Sequence, residues 1–215
     1  MQVVGESINY IPKCLLPISK IERNINVDFK GVKKIDEGKF IARYDLEYET
    51  VDGQQKIYEI ISRNKNITDF EGVHGRKADA VVIIATDEND EKILIDREFR
   101  LAVGEWVYNF PAGLIDPGET PEQSAVRELR EETGLELYEI NDFINTSYSA
   151  VGFSNETNVC VVGKARGTFK PSTSTLEEIE AGWYTREQVR ELLKTEKFAA
   201  RTQAFCYNWC RTQKQ

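Results

Sequence analysis

Residues 113–135 constrain this chain more than any other stretch. They read Gly-Leu-Ile-Asp-Pro-Gly-Glu-Thr-Pro-Glu-Gln-Ser-Ala-Val-Arg-Glu-Leu-Arg-Glu-Glu-Thr-Gly-Leu. Thr120 followed by Pro121 and Gln123 is an N-cap, a proline at the first helical position and a capping box. Gly134 is a helix stop. The spacing therefore predicts a helix between them. At about 100° per residue, Glu128, Glu131 and Glu132 fall at i, i+3 and i+4 on one stripe, with Ala125, Val126, Leu129 and Thr133 expected on the core-facing arc. Arg127 stands four residues before Glu131 and can pair with it. Three carboxylates on one stripe repel one another, and the helix dipole disfavours two of them near the C-terminus. A solvated charged face is the plain reading of a Glu-rich helix. The surrounding glycines, cap and arginine favour a stripe neutralised by divalent cations, and hard oxygen ligands suit Mg²⁺ or Mn²⁺ better than Zn²⁺.

Charge and composition narrow the class. The 215 residues carry 36 acidic and 28 basic side chains, a formal charge of −8. That excess argues against binding along a nucleic acid polymer, but not against small phosphates, because bound cations reverse the local sign. The longest purely apolar run, residues 80–85, is far short of the ~18 residues of a membrane span. The first residues lack a basic segment leading into an apolar stretch, so the expectation is a cytoplasmic protein without a membrane partner. Cys14, Cys160, Cys206 and Cys210 form no CxxC pair; they are expected as reduced, mostly packed thiols.

The chain changes texture near residue 76. Before it, Phe40, Ala42, Tyr44, Leu46 and Tyr48 alternate with mostly polar neighbours, Asp52-Gly53 marks a turn, and residues 56–62 form a second extended run. This predicts a small antiparallel unit within residues 1–76. Residues 77–215 alternate strands (80–85, 93–99, 137–140, 142–146 and 158–165) with helices at the capped segment, after Thr185, and over residues 198–211. Strands and helices without regular βαβ units predict an α+β chain, a mixed α/β/α sandwich.

Residues 113–135 resemble the signature box of the Nudix family at every constrained position: Gly113, Glu119, Arg127-Glu128, aliphatic Leu129, Glu131-Glu132, Gly134 and aliphatic Leu135. The resemblance implies the Nudix fold and metal-dependent hydrolysis of a nucleoside diphosphate linked to another group, with two to three Mg²⁺ or Mn²⁺ ions. It implies that Glu128, Glu131 and Glu132 ligate metal or metal-bound water, with Glu131 also catalytic. Arg127 would orient a carboxylate. Glu119 would support the loop or add to the metal site, and Gly113 and Gly134 would be structural.

The flanks resemble the ADP-ribose pyrophosphatase branch of that family. Residues 110–119 match its hydrophobic-Pro-Ala-Gly approach to the box, which implies the Ala112 carbonyl as a metal ligand. Residues 97–100, Arg-Glu-Phe-Arg, resemble an element that sets an arginine, here Arg100, against substrate phosphates. Residues 58–63 resemble another, in which an aromatic (Tyr58) stacks on the base and an arginine (Arg63) reaches the ligand, often from a neighbouring subunit. Residues 152–156 resemble a loop that delivers a glutamate, which makes Glu156 the candidate general base. The plain alternatives are a strand-end surface arginine for Arg100, a cross-strand aromatic for Tyr58 and an ordinary loop acid for Glu156. Two positions depart from the branch: Val151 stands where a proline is frequent, and Asn109 where a glutamate is.

The implied reaction takes ADP-ribose to AMP and ribose 5-phosphate. Another nucleotide sugar, a dinucleotide polyphosphate, or a module that senses ADP-ribose without cleaving it are the alternatives, and a scaffold role would explain only the N-terminal unit. A two- or three-stranded sheet needs a partner surface, so the N-terminal unit is expected to pack on a second copy, giving a homodimer.

Overall fold

The computed structural model describes residues 27–74, 77–173 and 178–212. Two sheets organise them. The first is an antiparallel three-stranded sheet in the order β1-β2-β3, from β1 (Val27–Glu37), β2 (Ala42–Thr50) and β3 (Gln55–Ser62). Its second hairpin turns at Asp52-Gly53, where Gly53 takes a positive φ of 79°. Ala42, Tyr44 and Leu46 are buried as the alternation predicts. Phe40 lies outside β2 and is exposed, because the strand begins two residues later. A one-turn helix, α1 (Phe70–Val73), follows.

The second sheet is mixed. β4 (Ala80–Thr86) pairs in parallel with β9 (Thr157–Arg166), and the remaining pairings are antiparallel, in the order β10-β5-β4-β9-β8. β8 (Glu136–Tyr148) is one strand where the sequence suggested two. Register shifts at 137/139, 140/142 and 144/147 break its alternation, as bulges do. β4 and β5 (Lys92–Arg100) pair only at Thr86 and Ile93. Beyond that point β6 (Glu105–Asn109) pairs antiparallel with β5 and β7 (Ala112–Leu114) antiparallel with β4, so residues 109–112 cross between two diverging arms. β10 (Ile179–Thr185) closes the edge beside β5.

Helices cover both faces, as the α/β/α reading anticipates. β4 shows how: Val81, Ile83 and Ala85 pack with Ala125, Leu129 and Leu135 on the side of α2 (Pro121–Thr133). Val82 and Ile84 pack with Val189 of α3 (Arg186–Thr195) and Cys206 of α4 (Ala200–Trp209) on the other. Period-two alternation on a central strand thus feeds two cores. Cys160, Cys206 and Cys210 are buried in the second; Cys14 lies outside the described residues.

The small sheet has its own core of Ala42, Tyr44, Leu46, Ile60 and Ile67. It also finds a partner surface within the same chain, on the loop between β8 and β9. Ile61 donates its N–H to the Phe153 carbonyl at 2.9 Å, and the Tyr58 hydroxyl donates to the Gly152 carbonyl at 2.6 Å. The Asn155 amide donates to the Val73 carbonyl at 2.8 Å.

Candidate active site

Local signals position α2 as read. The Thr120 hydroxyl accepts from the Gln123 N–H at 3.3 Å while the Gln123 side chain accepts from the Thr120 N–H at 2.9 Å. Gly134 ends the helix with φ 77°. Ala125, Leu129 and Thr133 are fully buried, whereas Val126, expected on the same arc, is 40% exposed and Ser124 is buried in its place. The buried stripe is rotated by the need to seat Ser124, whose hydroxyl donates to Glu119 at 2.6 Å.

Arg127 organises the carboxylates. Its guanidinium donates to both oxygens of Glu119 at 2.9 and 2.8 Å, to Glu128 at 2.7 Å, to Glu131 at 3.3 Å and to the Leu114 carbonyl at 3.0 Å. This fork ties the loop, the helix stripe and β7 together. The hydrogen bonds from Arg127 and Ser124 hold the Glu119 carboxyl down to about 2. The Asp116 N–H also donates to Glu119 at 3.2 Å, so Glu119 acts as the brace of the loop. Burial raises the Glu128 pKa and Arg127 opposes the rise; Arg127 itself is pushed up, first by Glu119.

The geometry explains Gly113 beyond a structural role. A Cβ there would sit 2.0 Å from the Glu128 carboxyl carbon and 2.2 and 2.4 Å from its oxygens. The missing side chain is the space in which the carboxylate rests. Next to it, the Ala112 N–H donates to Glu132 Oε2 at 3.2 Å. A strand residue sends its N–H and C=O to the same side. The Ala112 carbonyl therefore leaves β7 on the edge that Glu132 approaches, away from β4. Glu128, Glu132 and the Ala112 carbonyl are hard oxygen donors gathered around one strand, with Glu131 a turn along the same stripe. This donor set fits a divalent cation of the Mg²⁺ type. Among the described residues, however, no three His, Cys, Asp or Glu side chains stand together as a ready-made cage; Arg127 divides them.

The flanking candidates fall into two groups. Arg63 and Glu156 are brought together: they form a close ion pair between the end of β3 and the residue before β9. Tyr58 borders a cavity of about 760 Å³ between the small sheet and the β8–β9 loop, walled by Phe29, Tyr48, Phe70, His74 and Tyr148, with Val151 at its rim. Arg100, at the end of β5, pairs instead with Glu98. Asn109 accepts a hydrogen bond from the Thr202 hydroxyl at 2.9 Å and stands directly across from Asp96 of β5. Asp96, absent from the sequence reading, is 3% exposed. Burial, then the nearby Glu98, push its carboxyl up to about 8. Its position in a mostly apolar strand, after Ile93-Leu94-Ile95, was the available signal.

The NUDIX domain model matches residues 76–204. The chain belongs to the Nudix family. This Nudix chain is 33% identical over 103 residues to a mouse (Mus musculus) protein named ADP-sugar pyrophosphatase, covering 46% of this chain and 44% of that one. It is 30% identical over 136 residues to the ADP-ribose pyrophosphatase of Saccharomyces cerevisiae, covering 63% and 57%. It is 34% identical over 121 residues to that of Mycobacterium tuberculosis, covering 54% and 58%. The chain thus spans about half the length of these curated relatives. A crystal structure of an ADP compounds hydrolase superposes with TM-score 0.67 at 18% identity, over 86% of this chain and 92% of that chain, a likeness of fold. Among the described residues no helix is long and apolar enough to cross a membrane.

Proposed function

We propose that this Nudix protein hydrolyses the diphosphate bond of a nucleoside diphosphate derivative, with ADP-ribose, giving AMP and ribose 5-phosphate, as the favoured substrate. The observation that carries the reading is the Glu128 carboxylate seated on Gly113 beside Glu132 on the Ala112 N–H. Such a seat has no use in a solvated charged face. The names of the relatives favour ADP-ribose and related ADP-sugars as the substrate class.

Glu128, Glu131, Glu132 and the Ala112 carbonyl would hold Mg²⁺ or Mn²⁺, two to three ions in this reading. Bound there, the metal would polarise the phosphoryl oxygens and acidify a water. Arg127 sets the rotamers of Glu128 and Glu131 through its fork, so it acts as a positioning residue. Glu156, paired with Arg63, stands one residue before β9, at the end of the parallel β4–β9 ladder where Asn158 lies opposite Ala80; Ala80 in turn lies opposite Leu114 of β7. In this reading Glu156 takes the proton of the attacking water. Arg63 then has a second role as a cation for the substrate, with Arg100 at the other arm. The aromatic cavity beside Tyr58 is of a size that admits a nucleoside, and its rings suit a base.

Glu132→Gln tests the reading. It keeps the side chain's volume and a hydrogen-bond acceptor for Ala112, but removes the charge. Mg²⁺-dependent release of AMP from ADP-ribose should fall by orders of magnitude, with urea unfolding unchanged. Near-normal turnover would remove the metal assignment. A screen of ADP-ribose, nucleotide sugars and dinucleotide polyphosphates, with and without Mg²⁺, ranks the substrates.

We also propose that residues 1–76 serve substrate contact and dimerisation, and residues 77–215 the hydrolase itself. The small sheet already packs on its own chain, so its need for a surface is not what argues for a dimer. Support comes from exposed Phe143, Ile144, Tyr148 and Phe153 on β8 and its loop. A light-scattering mass of 24.6 kDa alone at micromolar concentration would refute the dimer.

A further inference from the structure

The 109–112 crossing is flanked on two sides. From α2, Glu132 takes the Ala112 N–H. From α4, the Thr202 hydroxyl accepts the Phe110 N–H at 3.2 Å and donates to Asn109. The residue before it, Arg201, donates from Nη1 to the Asn158 side-chain oxygen at 2.6 Å. Asn158 is 1% exposed; it also accepts from the Ser147 hydroxyl and donates to that of Ser149, so its other partners are neutral.

Among the described residues Arg201 is thus a partly buried cation without a counter-charge. Among the described residues no carboxylate pairs with it, and its Nε is buried with no hydrogen-bond partner. A partly buried guanidinium is costly to desolvate unless an anion meets it. Arg127, Arg63 and Arg100 each have carboxylate partners; Arg201 is aimed at an uncharged amide. Along β9, Asn158 and Cys160 share one face, and Asn158 stands two residues beyond Glu156 in the chain. The neighbour of Arg201, Thr202, holds the Phe110 N–H and the Asn109 side chain, two and three residues before Ala112, so α4 ties Arg201 to the start of the 109–112 crossing.

We propose that Arg201 is a substrate-binding residue that takes a phosphate oxygen of the nucleoside diphosphate, with Asn158 holding its guanidinium in place. The inference rests on the hydrolase reading above and adds to it the cation that neutralises the substrate's phosphate on the α4 side. An arginine in the first turn of a helix is otherwise opposed by the macrodipole, and a bound phosphate would relieve both charges.

The test uses the full chain and four proteins: wild type, Arg201→Gln, Arg201→Lys and Glu132→Gln. Gln retains a donor for Asn158 and loses the charge, which guards against misfolding; thermal unfolding of each variant checks this. Titration calorimetry in EDTA measures AMP against adenosine, and steady-state kinetics with Mg²⁺ measure ADP-ribose hydrolysis. Loss of one charge-assisted contact should weaken AMP about 10- to 100-fold while adenosine binding stays constant. KM for ADP-ribose should rise by a similar factor, more than kcat falls, and Lys should recover part of both. Equal AMP and adenosine binding in wild type, or an unchanged AMP-to-adenosine ratio in Arg201→Gln, overturns the proposal. If wild type discriminates AMP through Arg201 but hydrolyses nothing, the reaction assignment fails and the phosphate site stands. If Glu132→Gln abolishes turnover while Arg201→Gln leaves KM unchanged, the reaction stands and the Arg201 assignment fails.

Discussion

Replacing Gly113 with alanine should separate stability from activity. The added Cβ would stand 2.0 Å from the Glu128 carboxyl carbon, where ordinary contact begins near 3.4 Å. The carboxyl group must therefore withdraw by about 1.4 Å, the difference between the two. What yields is the free end of a flexible side chain, and Gly113 does not occupy the left-handed region. The cost to folding is then chiefly the bond from Arg127 to Glu128, now 2.7 Å. That pair is part-exposed, so its loss is worth about 0.5–1.5 kcal/mol. Alanine also lowers the entropy of the unfolded chain relative to glycine, which offsets some of this. The net change should lie within about 1 kcal/mol. Activity has no such slack, since a misplacement of about 1 Å at a catalytic group costs on the order of 100-fold. Urea denaturation and Mg²⁺-dependent AMP release from ADP-ribose, measured on the same preparation, read the two quantities. Turnover within threefold of wild type would show that the Glu128 seat is not used. A destabilisation above about 3 kcal/mol would show that Gly113 serves the backbone instead.

Gly134→Ala makes the converse case. Gly134 has φ 77° and a Cβ there would meet the Lys170 backbone nitrogen at 2.9 Å, so a loss of about 1–3 kcal/mol is expected in urea, with kcat little changed in the folded fraction. Arg127→Met should lower kcat strongly and stability only modestly, because it frees the Glu119 brace and leaves three carboxylates unopposed; restored stability at high salt would confirm the repulsion. Asp96 gives the pH signature. Its folded pKa, about 8, lies above the unfolded value near 3.9, so the native state holds a proton that the unfolded state releases. Its contribution is present in full below pH 4 and is lost as pH rises towards 8. Asp96→Asn should flatten the fall in stability between pH 5 and pH 8 by a few kcal/mol, with about 4 as the linkage ceiling over that window. An unaltered pH slope would place the burden elsewhere.

Some of this site was legible before any fold was known. The cap, the stop and the glutamate stripe of α2 depend on residues three or four apart, and at that range helical geometry alone decides who meets whom. Arg127 paired with Glu131 as spacing required, yet its stronger partners, Glu119 and Leu114, come from the loop and strand before the helix. Val126 was misplaced for a related reason: Ser124 is buried to serve Glu119, which hydropathy does not reveal. β8 read as two strands because bulges interrupt its period, and a bulge is a property of pairing with β9.

The sequence by itself determined the family, the glutamate stripe of α2 and the alternation of β4 that feeds a core on each face. All of these are written in short-range spacing or in the residue types of one element. Tertiary structure decided the rest. Only the approach of β7 to α2 makes Gly113 the seat of Glu128, and only the β8–β9 loop brings Glu156 to Arg63. The setting of Arg201 is likewise tertiary, since only the fold buries part of it with no carboxylate partner among the described residues. Local pattern states which groups a chain carries; burial and long-range pairing decide which charges are left to be answered by a ligand.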